Sequence, residues 1–439
     1  MNKEAINLFW IRRDLRLEDN TGLHHALQAG LPVMLVFIFD SEILDKIRNK
    51  KDARMLFIQQ ELMRLNDELK THGSTLKTYH GKPAIIWEEI TSSYNVKNVF
   101  PNSDYEPYAR QRDGQIHEVL KKKNISFHTF KDHVIFEKDE VMKDEGSPYT
   151  VYTAYSKKWK ARLNTFNLKS HSSEDHFSSF LRCDPCAIHS LENLGFENFE
   201  FPYFPDKQVR KEMIENYHNT RDFPFIEGTS RISMHLRFGT VSIRTICRQA
   251  LQSSEKWLNE LIWREFYQMI IYQFPATEKK SFKPAYDRIE WQNDEENFSL
   301  WCSGKTGYPL VDAGMRELNE TGFMHNRVRM VVASFLTKHL LIDWRWGEAY
   351  FAEKLLDYEL ASNVGGWQWA SGSGCDAAPY FRIFNPESQM NKFDASKNYV
   401  RKWVPEFDGA SYPAPIIDHK LARERCLKKY KEALSAQFF

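Results

Sequence analysis

The chain has 439 residues, which excludes a single small module and leaves room for two or three domains with a sizeable core. Its 60 Lys and Arg residues against 59 Asp and Glu residues give a formal charge of +1, which excludes a global cationic field, so a nucleic-acid partner would have to bind a local patch. With 42% hydrophobic residues, 19 Gly and 17 Pro, the composition excludes a disordered chain, and 12 Trp are more than a core requires.

Targeting signals and metal motifs are not apparent in the sequence. The longest apolar run, from Leu31 to Phe39, is too short to cross a membrane, and the first residues do not read as a signal peptide. Six cysteines in so long a chain predict reduced thiols. Cys183, Cys186 and His189 imitate half of a zinc site, but no second pair of ligands follows, so no metal is predicted. We therefore expect a cytoplasmic protein.

The first 135 residues alternate short β-rich runs with amphipathic stretches. The predicted strands cover residues 6–11, 32–39, 75–79, 96–100 and 125–130. Between the second and third strands, apolar residues recur at helical spacing, at Met55, Ile58, Leu62, Leu65 and Leu69. This alternation predicts an α/β domain with a parallel sheet of five strands.

The remainder of the chain changes character twice. From Asp132 to about Glu200 the pattern degrades into clusters of Ser, Asn, Asp and Lys, which is typical of a long surface connector. After Phe201, helical patterns punctuated by Gly and Pro continue to a charged last helix near residues 419–434. The predicted division is therefore an α/β domain over 1–132, a linker over 133–200 and a large all-α domain over 201–439.

One predicted helix carries a polar and aromatic face. Glu260, Trp263, Arg264 and Tyr267 fall at i, i+3, i+4 and i+7, so a carboxylate, an indole, a guanidinium and a phenol share that face. A helix that only packs against a core presents apolar residues on one face, and this face is mixed in character. The alternative is a solvated face with an ion pair between Glu260 and Arg264.

Three further segments of the same half carry groups suited to a ligand. Asn326, Arg329 and Met330 share a helical face whose guanidinium and amide suit an anion or a base edge. The segment 357–369 combines carboxylates, an amide, two glycines that permit close approach of something flat, and two stacking indoles. The segment 229–233 can open a helix, and its hydroxyls, N–H groups and arginine suit a diphosphate. The alternative role of each is capping or packing.

Matched segments along essentially the whole chain resemble the DNA photolyase/cryptochrome family, and most closely the class I cyclobutane pyrimidine dimer photolyases. The likeness begins at Phe9-Trp10-Ile11-Arg12-Arg13-Asp14-Leu15-Arg16 and is densest from Arg221-Asp222-Phe223-Pro224 to Met324-His325-Asn326-Arg327. The resemblance implies a Rossmann-like antenna domain, a linker and a helical FAD-binding domain. It also implies light-dependent repair of pyrimidine dimers in UV-damaged DNA, single- or double-stranded, with FAD reduced in the active form.

The resemblance also implies which residues hold FAD. The corresponding positions are Tyr217, Thr229, Ser230, Arg231, Ile232, Ser233, Trp257, Asn326, Arg329, Asp357, Tyr358, Glu359 and Asn363. Asn363 corresponds to the residue beside flavin N5, and Asp357 with Arg329 to a pair flanking the isoalloxazine. The family's flavin loop usually reads Asp-Gly-Asp followed by Asn-Asn, and this chain departs from it at Tyr358, Glu359 and Val364.

Lesion contacts and electron transfer are implied in the same way. The positions that contact the lesion or DNA correspond to Glu260, Trp263, Arg264, Tyr267, Asn326, Arg327, Met330, Trp369, Arg382 and Gln389. Glu260 matches the carboxylate that hydrogen-bonds the dimer, and Trp263 and Trp369 match the indoles that clasp it. Trp291, Trp344 and Trp367 match a chain of electron carriers from the flavin to the surface, so with Glu260 and Asn363 they form the expected catalytic set.

Alternatives remain for the second chromophore and for the substrate. Folate-binding relatives place Asn-Glu where this chain has Tyr108-Ala109, which disfavours methenyltetrahydrofolate, and a folate, an 8-hydroxydeazaflavin, another flavin or an empty site stays open. Photolyases acting on (6-4) photoproducts use histidine where this chain has Met330, and cryptochromes carry a changed N5 neighbour and a long C-terminal extension. We therefore expect a photolyase for cyclobutane dimers, monomeric, with no membrane and no obligatory protein partner.

Overall fold

The computed structural model describes residues 4–435 and divides them into two compact units. The first unit comprises residues 4–141, 159–209 and 231–252, and the second comprises residues 142–158, 210–230 and 253–435. The units interleave along the chain, whereas the sequence predicts three consecutive parts. The predicted linker is shared between them, because its residues 142–158 belong to the helical unit.

The first unit is built on a sheet of five parallel strands in the spatial order β3-β2-β1-β4-β5. The strands are β1 Ala5–Trp10, β2 Val33–Asp40, β3 Leu76–Gly81, β4 Asn95–Pro101 and β5 Ser126–Phe127. Every residue of β2 is buried, as its unbroken apolar run predicts for an inner strand covered on both faces. The predicted α/β class and sheet are confirmed, although β5 is shorter than the predicted run over 125–130.

Helices account for most of the remaining chain. In order they are α1 Thr21–Gln28, α2 Ser41–Leu44, α3 Ala53–Thr71, α4 Pro83–Ser93, α5 Pro107–Lys121, α6 Tyr152–Arg162, α7 Lys211–Glu215, α8 Tyr217–Thr220, α9 Ser233–Phe238, α10 Ile243–Ser253, α11 Glu255–Gln273, α12 Glu295–Cys302, α13 Pro309–Thr321, α14 Asn326–Ser334, α15 Trp344–Lys354, α16 Leu360–Ser371, α17 Pro386–Phe393, α18 Asn398–Trp403 and α19 His419–Ser435. Short 3₁₀ turns cover Thr165–Leu168, Glu174–Ser179, Glu192–Leu194, Pro275–Glu278 and Pro284–Arg288, and a π-helical turn covers Phe335–His339. Between residues 4 and 435, no helix is long and apolar enough to cross a membrane.

A buried network of charges explains why residues 231–252 join the first unit. Asp132 is fully buried and accepts hydrogen bonds from Arg16 at 2.7 Å and Arg244 at 2.9 Å. Arg244 also bonds Asp19 at 2.9 Å, so this one guanidinium satisfies two carboxylates of the α/β unit. Burial favours the neutral acid, but the two guanidiniums outweigh it and hold the pKa of Asp132 well below its ordinary value.

The second unit has a large apolar core around α16. The helices α11, α14 and α15 all pack against α16, and the core includes Trp344 and Trp367. Close packing of α15 on α16 requires a residue without a side chain, because a Cβ at Gly347 would lie 2.1 Å from the Trp367 ring. Side-chain caps fix where two of these helices begin, Ser254 for α11 and Asp343 for α15.

Candidate active site

Four helices of the second unit carry most of the predicted site residues. Those on α11 are Trp257, Glu260, Trp263, Arg264 and Tyr267; those on α14 are Asn326, Arg327, Arg329 and Met330; and those on α15 and α16 are Trp344, Asn363, Trp367 and Trp369. Because α11, α14 and α15 all pack against α16, the structure brings residues together that are up to about a hundred positions apart in sequence. The helices α11 and α14, which carry the predicted faces, therefore share α16 as a neighbour.

Two ion pairs tie the segment before α16 to its neighbours. Arg264 donates to Glu359 at 2.7 Å, and the Glu359 residue is only 4% exposed. Ser362 also donates to Glu359, at 3.0 Å, and Arg329 bonds both carboxylate oxygens of Asp357 at 3.0 and 3.1 Å. The longer Glu359 carboxylate, one of the departures from the family pattern, is therefore held by a guanidinium and a hydroxyl.

The partner of Glu260 differs from the one considered from sequence. Glu260 pairs with Arg221 at 2.5 Å and not with Arg264, which bonds Glu359. Partial burial raises the pKa of Glu260, and the adjacent Arg221 guanidinium opposes that rise. Asp222, the next residue, pairs with Arg327 at 2.7 Å. Consecutive residues of opposite charge thus hold two side chains of the predicted lesion site.

Sequence reasoning gave neither Arg221 nor Asp222 a role. Both lie in the Arg-Asp-Phe-Pro segment that carries part of the family resemblance, so a signal was present in the sequence. The Arg221 guanidinium also lies 5.3 Å from the ring centroid of Tyr217, a buried residue predicted to hold the cofactor. Arg221 therefore joins a predicted cofactor residue to a predicted lesion residue.

Asn363 is held by a residue that the sequence did not single out. Its Nδ2 donates to the Glu348 backbone oxygen at 3.0 Å and to Glu348 Oε1 at 2.9 Å. Burial raises the pKa of Glu348 to about 7; the hydrogen bond from Asn363 opposes this rise, and the nearby Glu278 adds to it. Nothing in the local pattern of α15 marks Glu348, because its partner lies on another helix.

The glycine pair of α16 serves two different purposes. A Cβ at Gly365 would lie 2.3 Å from the Tyr267 ring, so the flat group that approaches Gly365 is a side chain of the protein itself. A Cβ at Gly366 would meet no atom within 4 Å, so space is open beside that residue. The sequence predicts close approach at both glycines, and the structure places the protein's own ring at the first and open space at the second.

The three indoles of the predicted electron-transfer chain differ in burial. Trp344 and Trp367 are 1% and 2% exposed and belong to the same core, whereas Trp291 is partly buried and packs against that core. Trp291 also contacts Tyr430, with ring centroids 6.1 Å apart and nearly perpendicular planes. An electron path from the interior to solvent needs buried rings at its start and a ring near the surface at its end, and the burial of these three indoles has that order.

The two indoles of the predicted lesion clasp lie on adjacent helices. Both Trp263 on α11 and Trp369 on α16 are partly exposed. The ring of Tyr152 stacks on Trp263, with centroids 3.6 Å apart and planes 4° apart. Sequence reasoning missed Tyr152 because it lies in the segment predicted to be a linker.

The remaining predicted residues lie outside these four helices. Thr229 and Ser230 end a segment of the second unit, and Arg231, Ile232 and Ser233 begin a segment of the first. Arg231 has a φ of +50°, a left-handed conformation that is strained for a side-chain-bearing residue, and the predicted helix opens at Ser233.

The last predicted residues to be placed are Arg382 and Gln389, which are expected to contact DNA, and Tyr358 of the flavin loop. Arg382 is exposed, and its backbone oxygen accepts a hydrogen bond from the buried Lys338 amine at 2.9 Å. Gln389 on α17 has a buried Oε1 with no hydrogen-bond partner in the described part of the chain, and Tyr358 packs against the core. Arg382 and Gln389 are thus placed by α17 and the loop before it.

The chemistry of these groups fits a flavin nucleotide. The Asp357 and Arg329 pair lies before α16, and the Asn363 amide and the open space beside Gly366 lie along its first two turns, a combination that suits a flat ring with polar edges. The partly exposed hydroxyls at Thr229 and Ser230 suit a diphosphate. The residues present therefore fit FAD, the cofactor that the resemblance implies.

Comparisons with known proteins show which family this chain resembles along its length. Residues 7–174 match the family described as DNA photolyase, and residues 257–411 match the FAD binding domain of DNA photolyase. A deoxyribodipyrimidine photo-lyase of Vibrio cholerae is 38% identical over 475 aligned positions that cover 98% of this chain and 100% of the relative. The crystal structure of a bacterial class III photolyase from Agrobacterium tumefaciens superposes with a TM-score of 0.85 at 31% identity, covering 99% of each chain.

An archaeal photolyase extends the comparison. The crystal structure of the enzyme from Sulfolobus tokodaii, described as containing two FAD molecules, superposes with a TM-score of 0.83 at 32% identity. It covers 98% of this chain and 100% of the relative. Both the α/β unit and the FAD-binding domain have counterparts in these relatives. The chain belongs to the DNA photolyase family.

Proposed function

We propose that this protein repairs cyclobutane pyrimidine dimers in DNA by a light-driven reaction. The observation that carries the proposal is the face of α11 that presents Glu260 and Trp263 together, with Arg221 holding the carboxylate. A carboxylate beside a stacking surface suits a pair of pyrimidines, whose edges hydrogen-bond and whose faces stack. Relatives named deoxyribodipyrimidine photo-lyase support the same substrate class.

The lesion must leave the DNA stack to meet these residues. A damaged pair has weaker pairing and stacking, so its extrusion costs less free energy than that of an intact pair. Trp263 and Trp369 then offer faces on which the extruded bases stack. Glu260 accepts a hydrogen bond from a pyrimidine N3–H when it is ionised and donates to a pyrimidine carbonyl when it is protonated. Partial burial, which raises the pKa of Glu260, favours the protonated form that can donate to a pyrimidine carbonyl.

The cofactor and the DNA backbone are assigned to other side chains. Asn363, Arg329 and Asp357 would hold the flavin ring, with Tyr217 and the hydroxyls of 229–230 toward the remainder of FAD. Reduced FAD supplies, when bound, the light-excited electron that opens the cyclobutane ring and is then recovered. Arg327 and Arg382 are suited to phosphate contacts, and with a net charge of +1 this local rim gives binding that weakens as salt rises.

Illuminated repair of a defined oligonucleotide tests the proposal. Protein carrying reduced FAD is mixed with an oligonucleotide containing one thymine dimer, and restored thymines are quantified after blue or near-ultraviolet light and after darkness. We expect repair only in the light, and Glu260→Ala should reduce it by about tenfold or more, because a charge-assisted hydrogen bond to substrate contributes about 1.5–3 kcal/mol. Repair in the dark, or no repair in the light, would overturn the proposal.

The same assay separates the family alternatives. An oligonucleotide with a (6-4) photoproduct should remain unrepaired, because Met330 occupies the position where enzymes for that lesion use histidine. Flavin photochemistry without repair of either lesion would indicate a signalling flavoprotein of the cryptochrome type. We also propose that the α/β unit binds a second, antenna chromophore, a folate, an 8-hydroxydeazaflavin or a flavin, which the absorption spectrum of native protein would identify.

A further inference from the structure

The stack of Tyr152 on Trp263 is the closest ring pair among the described residues near the proposed lesion site. The centroids are 3.6 Å apart and the planes differ by 4°, so the phenol lies almost directly over the indole and covers one of its faces. Phe266 lies 5.7 Å from Trp263 and 6.0 Å from Tyr152, nearly perpendicular to both. Because it is about equally far from the two rings, Phe266 lies beside the stack. Tyr267 is the other ring beside Trp263, with centroids 5.5 Å apart and planes inclined by 34°.

Ring attraction alone does not account for this geometry. Aromatic pairs prefer offset or edge-to-face arrangements, and a nearly eclipsed pair is less favourable electrostatically. Tyr152 is instead held by two hydrogen bonds outside the ring pair. Its hydroxyl donates to the Asn259 backbone oxygen at 2.9 Å, and its backbone N–H donates to Asp376 at 3.0 Å. The phenol therefore has a fixed position against which the indole rests.

These two bonds tie Tyr152 to both sides of the proposed clasp. Asn259 lies on α11, one turn before Trp263, and Asp376 lies in the loop that follows α16, seven residues after Trp369. Tyr152 thus connects the helix that carries one clasping indole with the segment that follows the other. A residue in this position fixes the orientation of Trp263 before DNA arrives.

We propose that Tyr152 is a positioning residue that orients Trp263, whose partly exposed indole is then available to the lesion. This inference rests on the proposed function, in which Trp263 stacks on the dimer. An indole already ordered in the free protein loses little side-chain freedom on binding, so the affinity for the lesion is higher than with a mobile ring. The role acts through Trp263 and involves no contact between Tyr152 and the bases.

The test compares dissociation constants in the dark for a dimer-containing duplex and for its undamaged counterpart. Tyr152→Leu removes the ring, and we expect its affinity for the damaged duplex to fall by about two- to twelvefold, the cost of ordering one mobile side chain on binding, with the affinity for undamaged DNA unaffected. Tyr152→Phe keeps the ring and the backbone bond to Asp376 but loses the hydroxyl bond to Asn259, so its affinity should lie between those of Tyr152→Leu and the natural protein. Thr153→Leu, an exposed neighbour on the same helix, is the matched control and should bind as the natural protein does.

A double-mutant cycle with Trp263→Ala isolates the coupling. Trp263→Ala alone should weaken damaged-duplex binding, and adding Tyr152→Leu to it should cause no further loss. If Trp263→Ala weakens binding and Tyr152→Leu does not, the positioning role is overturned while the proposed function stands. If Trp263→Ala binds normally, the placement of Trp263 in the lesion site fails, and the role of Tyr152 with it.

Repair at saturating substrate provides a second readout. Because Tyr152 acts on binding, Tyr152→Leu should change the repair rate at saturating damaged DNA by less than about twofold. A loss confined to that rate, with affinity unchanged, would overturn the inference. Should the leucine variant fail to fold, Tyr152→Met, which retains most of the side-chain volume without a ring, replaces it in the same cycle.

Discussion

Glu348 gives the most quantitative test of the site's electrostatics. Its side chain is partly buried in contact with Asn363, and its pKa is raised from 4.5 to about 7, first by burial and then by the nearby Glu278. A carboxyl group with a raised pKa in the folded state stabilises the fold below its unfolded pKa, and that contribution is lost as the pH rises through the folded value. The stability that protonated Glu348 contributes is therefore lost between about pH 4.5 and pH 7.

The magnitude follows from the two pKa values. The difference between 4.5 and about 7, at 1.36 kcal/mol per pH unit, gives about 3.4 kcal/mol as an upper limit for the stability lost across the window. Because the side chain is only partly buried, solvent screening reduces this figure, and we expect about 2 kcal/mol. Glu348→Gln removes the ionisation and keeps an oxygen that accepts from Asn363, so it should remove this loss.

Equilibrium urea unfolding at pH 4.5, 6 and 8 measures the effect. The variant and the natural protein should have similar unfolding free energies at pH 4.5, and the variant should be more stable by about 2 kcal/mol at pH 8. Glu353→Gln, the same substitution at an exposed position on the same helix, is the matched control. A Glu348→Gln difference that is equal at all three pH values would refute the reasoning.

Three further predictions concern packing, electron transfer and the buried charges. Gly365→Ala places a methyl group 2.3 Å from a tyrosine ring and should lower the unfolding free energy by about 1–3 kcal/mol, whereas Gly366→Ala, with no atom within 4 Å, should raise that of the apoprotein by about 0.5–1 kcal/mol in the same urea titration. Trp291→Phe should slow photoreduction of oxidised FAD, followed by absorbance, and spare repair by chemically reduced protein; loss of both would contradict the electron-transfer assignment. Asp132→Asn removes a fully buried charge that pairs with two guanidiniums, of which Arg244 keeps Asp19, and should cost about 3–5 kcal/mol at pH 7. Because the pKa of Asp132 is lowered, its contribution is lost as the pH falls, so the variant's stability should depend less on pH under acid conditions.

Much of the fold is predictable because its signals are local. The alternation of apolar strands with amphipathic helices indicates the α/β unit, and the buried run of β2 needs no knowledge of its neighbours. The face of α11 follows from helical spacing, which fixes the direction in which Glu260 and Trp263 point. Residue types in that pattern, together with the family resemblance, were sufficient to nominate the site.

The partners of those residues depend on tertiary structure. Helical spacing pairs Glu260 with Arg264, but packing brings Arg221 to Glu260 and Glu359 to Arg264. Similarly, Glu348 meets Asn363 only because α15 packs on α16. A sequence pattern gives the direction of a side chain, whereas the group opposite it is set by contacts between distant segments.

The boundaries between structural units also depend on contacts that a local sequence pattern does not reveal. Composition marks 133–200 as a connector, yet Tyr152 within it stacks on Trp263 in the helical unit, and Arg244 from the helical half is bound by Asp19 and Asp132 in the α/β unit. The sequence by itself determined the two structural classes, the family and the nominated residues, since these depend on local periodicity and residue identity. Only the tertiary structure decided which charges pair and which rings stack, because those interactions require surfaces that are distant in sequence to meet.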